Sequence, residues 1–108
     1  MENETMADYH VVKLGRDGTR IWLEGARLKA AAFEKGRFVS REWGKRKLVL
    51  RVVTKAEADK LERRNKGKVS GSEERPIIDI TGDLLAETFK GASTVDVSYA
   101  NRMIVITA

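Results

Sequence analysis

Two clusters of basic residues are the part of this sequence best suited to chemistry. Lys13, Arg16 and Arg20 recur at intervals of three and four residues, and Arg41, Lys45, Arg46 and Lys47 crowd into seven positions, with Arg37 just ahead of them. Long cationic side chains near strand ends reach phosphate oxygens while their stems cover apolar surface, and phosphate contacts dominate affinity for nucleic acid. Trp22 adds an indole on which a base could stack, whereas Trp43 sits in an apolar pattern that reads as packing. His10 is the only histidine and there is no cysteine, so neither an imidazole cluster nor a thiolate metal site can be assembled. No nucleophile or carboxylate pairs with His10 by spacing. The sequence therefore offers no recognisable catalytic set, few metal ligands and no cofactor motif, and it points to binding.

The charge is lopsided. Residues 1–53 carry twelve Lys and Arg against seven Asp and Glu, residues 54–75 seven against five, and residues 76–108 two against four. A polyanion would meet the first half. No stretch approaches the roughly 20 apolar residues of a membrane helix. The acidic opening residues differ from a secretory signal, so the expectation is a cytoplasmic protein without a membrane partner.

These clusters must be held by a scaffold, and internal repetition reveals it. Ile21, Leu23, Gly25, Leu28 and Phe33 recur as Ile78, Ile80, Gly82, Leu85 and Phe89, with one residue removed before the second phenylalanine. Val39, Trp43, Arg46, Leu48, Val49 and Leu50 recur as Val95, Tyr99, Arg102, Ile104, Val105 and Ile106 at a constant offset. Each copy reads as an apolar strand, a glycine, a helix of two turns (26–33 and 83–89) and a two-stranded hairpin. A further hairpin, His10 to Leu14 returning through Thr19 to Leu23, is expected ahead of the first copy.

The organisation that follows is an N-terminal hairpin and first half-domain over 1–53, a linker over 54–76 and a second half-domain over 77–108, together one domain. Thr54 and Glu57 form a capping box for a linker helix, with Asp59–Arg63 and Glu62–Lys66 spaced as helical ion pairs. The segment from Gly67 to Arg75 has the composition of a flexible loop, and Pro76 marks entry to the second copy. One half-domain cannot bury its own apolar face. Two can, by pairing edges.

The spacing of Ile21, Leu23, Gly25, Leu28, Ala31, Phe33, Gly36 and Val39, ending in Leu48-Val49-Leu50, resembles the SymE-like branch of the AbrB/SpoVT swapped-hairpin superfamily, as does Asp17-Gly18-Thr19-Arg20-Ile21. The resemblance implies a mainly β fold with short helices, a pseudo-twofold double-split β-barrel built here from two tandem repeats. It also implies a nucleic-acid-binding regulator or toxin-type protein, alone or as a homodimer. On this reading Lys13, Arg16, Arg20, Arg37, Arg41, Lys45, Arg46 and Lys47 contact DNA or RNA. The alternatives are a module whose basic face meets an acidic protein, such as an antitoxin-type partner or a phage-borne inhibitor of a host nucleoprotein, and an RNA nuclease by analogy with SymE. Most basic positions of the first copy lack basic counterparts in the second, so the contact surface is expected from the first copy.

Overall fold

The computed structural model describes residues 8–108; the acidic opening residues read above lie outside them, up to Ala7. The strands are β1 (Asp8–Lys13), β2 (Arg20–Glu24), β3 (Phe38–Gly44), β4 (Lys47–Val53), β5 (Lys66–Lys68), β6 (Ser70–Gly71), β7 (Pro76–Thr81), β8 (Thr94–Ala100) and β9 (Met103–Thr107). Three short helices intervene: α1 (Ala26–Ala30), α2 (Lys55–Asp59) and α3 (Asp83–Thr88). All pairing is antiparallel, in a six-stranded sheet of order β1-β8-β9-β4-β3-β5 and a three-stranded sheet of order β2-β7-β6.

The ladders carry the repetition into three dimensions. The β3–β4 hairpin pairs Trp43 with Leu48, and β8–β9 pairs Tyr99 with Ile104, the positions aligned in the sequence. Between copies, Leu48 faces Ile106 and Leu50 faces Ile104 around the pair Val49–Val105. Likewise Ile21 faces Ile80 and Leu23 faces Ile78 around Trp22–Asp79. Both hairpins turn through an arginine at positive φ, Arg46 at 50° and Arg102 at 63°. The Arg46 carbonyl accepts from the Ala108 N–H as the Arg102 carbonyl accepts from Val52.

The expected double-split, swapped-hairpin AbrB-like barrel does not form: there are two open sheets, and neither closes on itself. The reason lies in strand partners. The predicted N-terminal hairpin is reduced to one bridge, Gly15–Arg20, because Arg16 and Asp17 adopt φ of 49° and 56° and the chain leaves the hairpin register there. β1 pairs instead along its whole length with β8 of the second copy. The supposed flexible loop contributes β5 to the large sheet and β6 to the small one, changing sheets at the buried Val69. The linker helix is capped by Thr54 and Glu57 as read, but it stops at Asp59, so its ion pair is Lys55–Asp59 and Glu62 pairs with Arg64. Helices α1 and α3 are also shorter than their apolar patterns suggested, and single turns need tertiary support.

Both copies feed one core. Phe33, Leu28, Leu48 and Leu50 from the first copy and Phe89, Leu85, Ile104 and Ile106 from the second are each at most 1% exposed and belong to one apolar cluster. Gly25 and Gly82 hold equivalent places before α1 and α3 at φ of 93° and 121°. A Cβ there would meet nothing within 4 Å, so glycine is required by backbone conformation alone.

Candidate nucleic-acid interface

Strand alternation decides which basic residues share a surface. Across the large sheet, one inner row runs Asp8, Tyr99, Ile104, Leu50, Arg41, and the next runs His10, Val97, Ile106, Leu48, Trp43. The middle of each row is core. Its ends emerge at the sheet edges, and on β3 those ends are Arg41 and Trp43. β5 covers β3 only at Phe38–Ser40, so beyond Ser40 the strand borders an open cleft of about 490 Å³. Arg41, Trp43, Leu61, Arg64, Asn65 and Leu84 are among its lining residues. The Trp43 indole N–H donates to the Arg64 carbonyl at 3.0 Å, which ties the linker turn to the cleft wall.

Arg41 is the unusual group. It is half-buried, and desolvation lowers its pKa from the ordinary arginine value, with the Asp79 carboxylate acting in the opposite direction. Yet Asp79 is already occupied: Arg20 donates from Nε and Nη2 to its two oxygens, at 2.9 Å each. Glu42 also borders the cleft, but strand alternation puts its side chain on the other face of β3, where Arg51 holds it at 3.0 Å. Among the described residues Arg41 has no ion-pair partner. Its head group lies against Gly67, where a Cβ would come within 2.7 Å of Nη2 and 3.2 Å of Cζ and Nε. The glycine makes room for the guanidinium. A partly desolvated cation without a counter-ion, beside an open cleft, is suited to an anion delivered from solution.

Other basic residues line further clefts. On β2, the Arg20 guanidinium lies 4.6 Å from the centroid of the Trp22 ring, and Trp22 is 41% exposed. Arg20 and Trp22 line a cleft with Lys13 and Gly15, and those last two also line its neighbour, with Arg16. Leu84 belongs both to the Arg41 cleft and to a smaller one with Lys45, Arg46 and Glu87. Lys13, Arg16 and Arg20 thus line one pair of adjoining clefts and Arg41, Arg64 and Lys45 another; the Asp79 carboxylate, held by Arg20 and felt by Arg41, relates the two groups, together called the track.

Three of the sequence-predicted contacts are placed apart from these clefts or tied to other groups. Arg37 is paired with Glu34 at 3.2 Å and lines none of these clefts. Lys47 faces Thr107 and Gly44, on the side of the sheet opposite Arg41 and Trp43. Arg46 lines the track but is committed to the fold, donating to the Lys90 carbonyl at 2.9 Å and the Ala108 carbonyl at 3.3 Å. Arg64, Asn65 and Trp43 were not among the predicted contacts, because only tertiary packing brings the linker turn against β3.

The chemistry available elsewhere is slight. His10 Nε2 and the Tyr99 hydroxyl are 2.9 Å apart at the edge of the core. Burial, then Arg27, lowers the His10 pKa against a raising influence from Asp8, while burial pushes Tyr99 up to about 12. No group of three His, Asp or Glu side chains among the described residues could hold a metal ion. No helix among these residues is long and apolar enough to cross a membrane. No family model, curated protein or solved structure matches the chain.

Proposed function

We propose that this protein binds nucleic acid along the track from Lys13 to Lys45, with Arg41 as its central phosphate contact. The observation that carries the reading is the half-buried Arg41 guanidinium, which has a cleft before it, a glycine beneath it and no carboxylate of its own. Lys13, Arg16 and Lys45 supply further exposed charge, and Trp22 offers an aromatic face next to Arg20. The contacts come almost entirely from the first copy and the linker, and the second copy contributes the cleft wall at Leu84 and the counter-charge Asp79.

The test is a binding titration of duplex DNA, single-stranded DNA and RNA, each at two salt concentrations, with the wild type, Arg41→Gln and Lys47→Gln. Arg41→Gln should weaken binding on the order of tenfold, the loss expected for one charge-assisted hydrogen bond. Lys47→Gln, on the other face, should change little. Equal losses would refute the track, and absence of salt-dependent binding to all three probes would refute the function and turn attention to acidic protein partners.

A further inference from the structure

The free edge of the large sheet has its own recognition chemistry. β1 is an outermost strand among the described residues, and its partner on one side is β8. The Leu14 N–H donates to the Ser93 carbonyl, continuing the ladder that matches Asp8 with Tyr99. Antiparallel ladders alternate hydrogen-bonded and non-hydrogen-bonded pairs. Leu14, Val12, His10 and Asp8 therefore turn their backbone groups towards β8. Tyr9, Val11 and Lys13 turn theirs outward. Consistent with this, the Tyr9 N–H meets no strand among the described residues and donates to the exposed Asp8 side chain at 2.8 Å, a contact that strand pairing would replace.

The same residues carry the exposed apolar surface. Tyr9 is 57% and Val11 56% exposed, the two most exposed of the large hydrophobic side chains among the described residues. An edge strand with outward backbone groups and apolar side chains is a template for another strand.

We propose that β1 pairs antiparallel with β1 of a second copy about a twofold axis at Val11. The register follows from parity and from hydrogen-bond count. A twofold axis normal to the sheet keeps the same face of both copies up only if opposed residues have the same parity. Only residues with outward backbone groups can form the hydrogen-bonded pairs. Placing Val11 opposite Val11 of the second copy sets Tyr9 opposite Lys13 and Lys13 opposite Tyr9, and so engages all three outward N–H groups and all three outward carbonyls of each copy. The next same-parity register, with Tyr9 opposite Val11, leaves Lys13 beyond the pairing. The chosen register also lays each Lys13 stem and ammonium beside a Tyr9 ring, a favourable cation–aromatic pair. The partner is therefore this chain itself, and the product is a continuous twelve-stranded sheet.

Sedimentation velocity of the full chain over a wide concentration range tests this, using the wild type, Val11→Lys and Val11→Glu. Position 11 is exposed, so both variants should remain folded by circular dichroism. The wild type should show a concentration-dependent dimer. Each variant alone should be monomeric, because the axis sets like charges against each other. An equimolar mixture of the two should recover the dimer. A wild type that stays monomeric, variants that still dimerise, or a mixture that fails to associate would each overturn the proposal, the last by rejecting the register.

Discussion

Gly67→Ala is the sharpest perturbation of the proposed track, because it acts on Arg41 without touching it chemically. The new methyl would stand 2.7 Å from Arg41 Nη2 and 3.2 Å from Cζ and Nε, well inside van der Waals contact, so the guanidinium must move off the strand. Gly67 lies in β5 and its φ is not in the left-handed region, so the backbone accepts a Cβ. The atoms displaced are the end of a flexible side chain. Stability should hold or rise by about 0.4–1 kcal/mol through the lost freedom of the unfolded chain. Binding should fall towards the Arg41→Gln level. If one phosphate contact is lost, log affinity should lose a slope of roughly 0.7–0.9 against log salt, so between about 50 and 200 mM salt the gap between variant and wild type should narrow about threefold. Fluorescence anisotropy with a labelled oligonucleotide measures both quantities, and thermal unfolding checks the fold. The double variant with Arg41→Gln should bind no more weakly than Arg41→Gln alone. Wild-type affinity and salt slope in Gly67→Ala, or a further loss in the double variant, would refute the role given to Arg41.

Three further outcomes follow from the packing and the titrating groups. Phe89→Ala should cost on the order of 3–5 kcal/mol in chemical denaturation, because a side chain at 1% exposure leaves a cavity in the core shared by both copies; a loss below about 1 kcal/mol would contradict a common core. His10 has a folded pKa below its unfolded value, so the folded protein disfavours its protonation. Its stabilising contribution should be complete above pH about 6.5 and disappear as pH falls through the lower folded value, and His10→Asn should flatten that part of the stability–pH curve. Ser40→Ala should leave stability unchanged or raise it by up to about 1 kcal/mol in the same assay, since the Ser40 hydroxyl is buried without a hydrogen-bond partner among the described residues.

The apolar positions were largely legible in the sequence, and closure was not. Ile21, Leu23, Leu48 and Leu50 alternate with the period of strands that bury one face, and their counterparts in the second copy lie opposite them in the ladders. Alternation says which face is buried but not which strand lies alongside. For that reason the sequence suggests β1 beside β2, whereas it pairs with β8, and the corner at Arg16 and Asp17, two non-glycine residues at positive φ, leaves no compositional sign. The segment around Gly67 and Ser70 read as a loop because short strands rich in glycine and lysine lack the β-branched pattern; their pairing is imposed by β3 and β7. At the site, the abundance of basic residues in the first copy was plain, but their roles were not. Arg20, Arg41 and Arg46 are the same residue type, yet one holds Asp79, one borders a cleft with no ion-pair partner among the described residues and one holds two backbone carbonyls. Only tertiary neighbours separate a binding arginine from a structural one.

The most direct measurement is a two-dimensional NMR titration of the labelled full chain with whichever oligonucleotide binds. The two tryptophans place indole N–H reporters at both cleft walls, Trp22 beside Arg20 and Trp43 beside Arg64. Both indole signals should shift on binding, together with the amides of Arg41 and Gly67, while those of Val49 and Val105 on the opposite face of the large sheet stay in place. Shifts confined to that opposite face, or to the turn at Lys45–Lys47 with both indoles unmoved, would contradict the track.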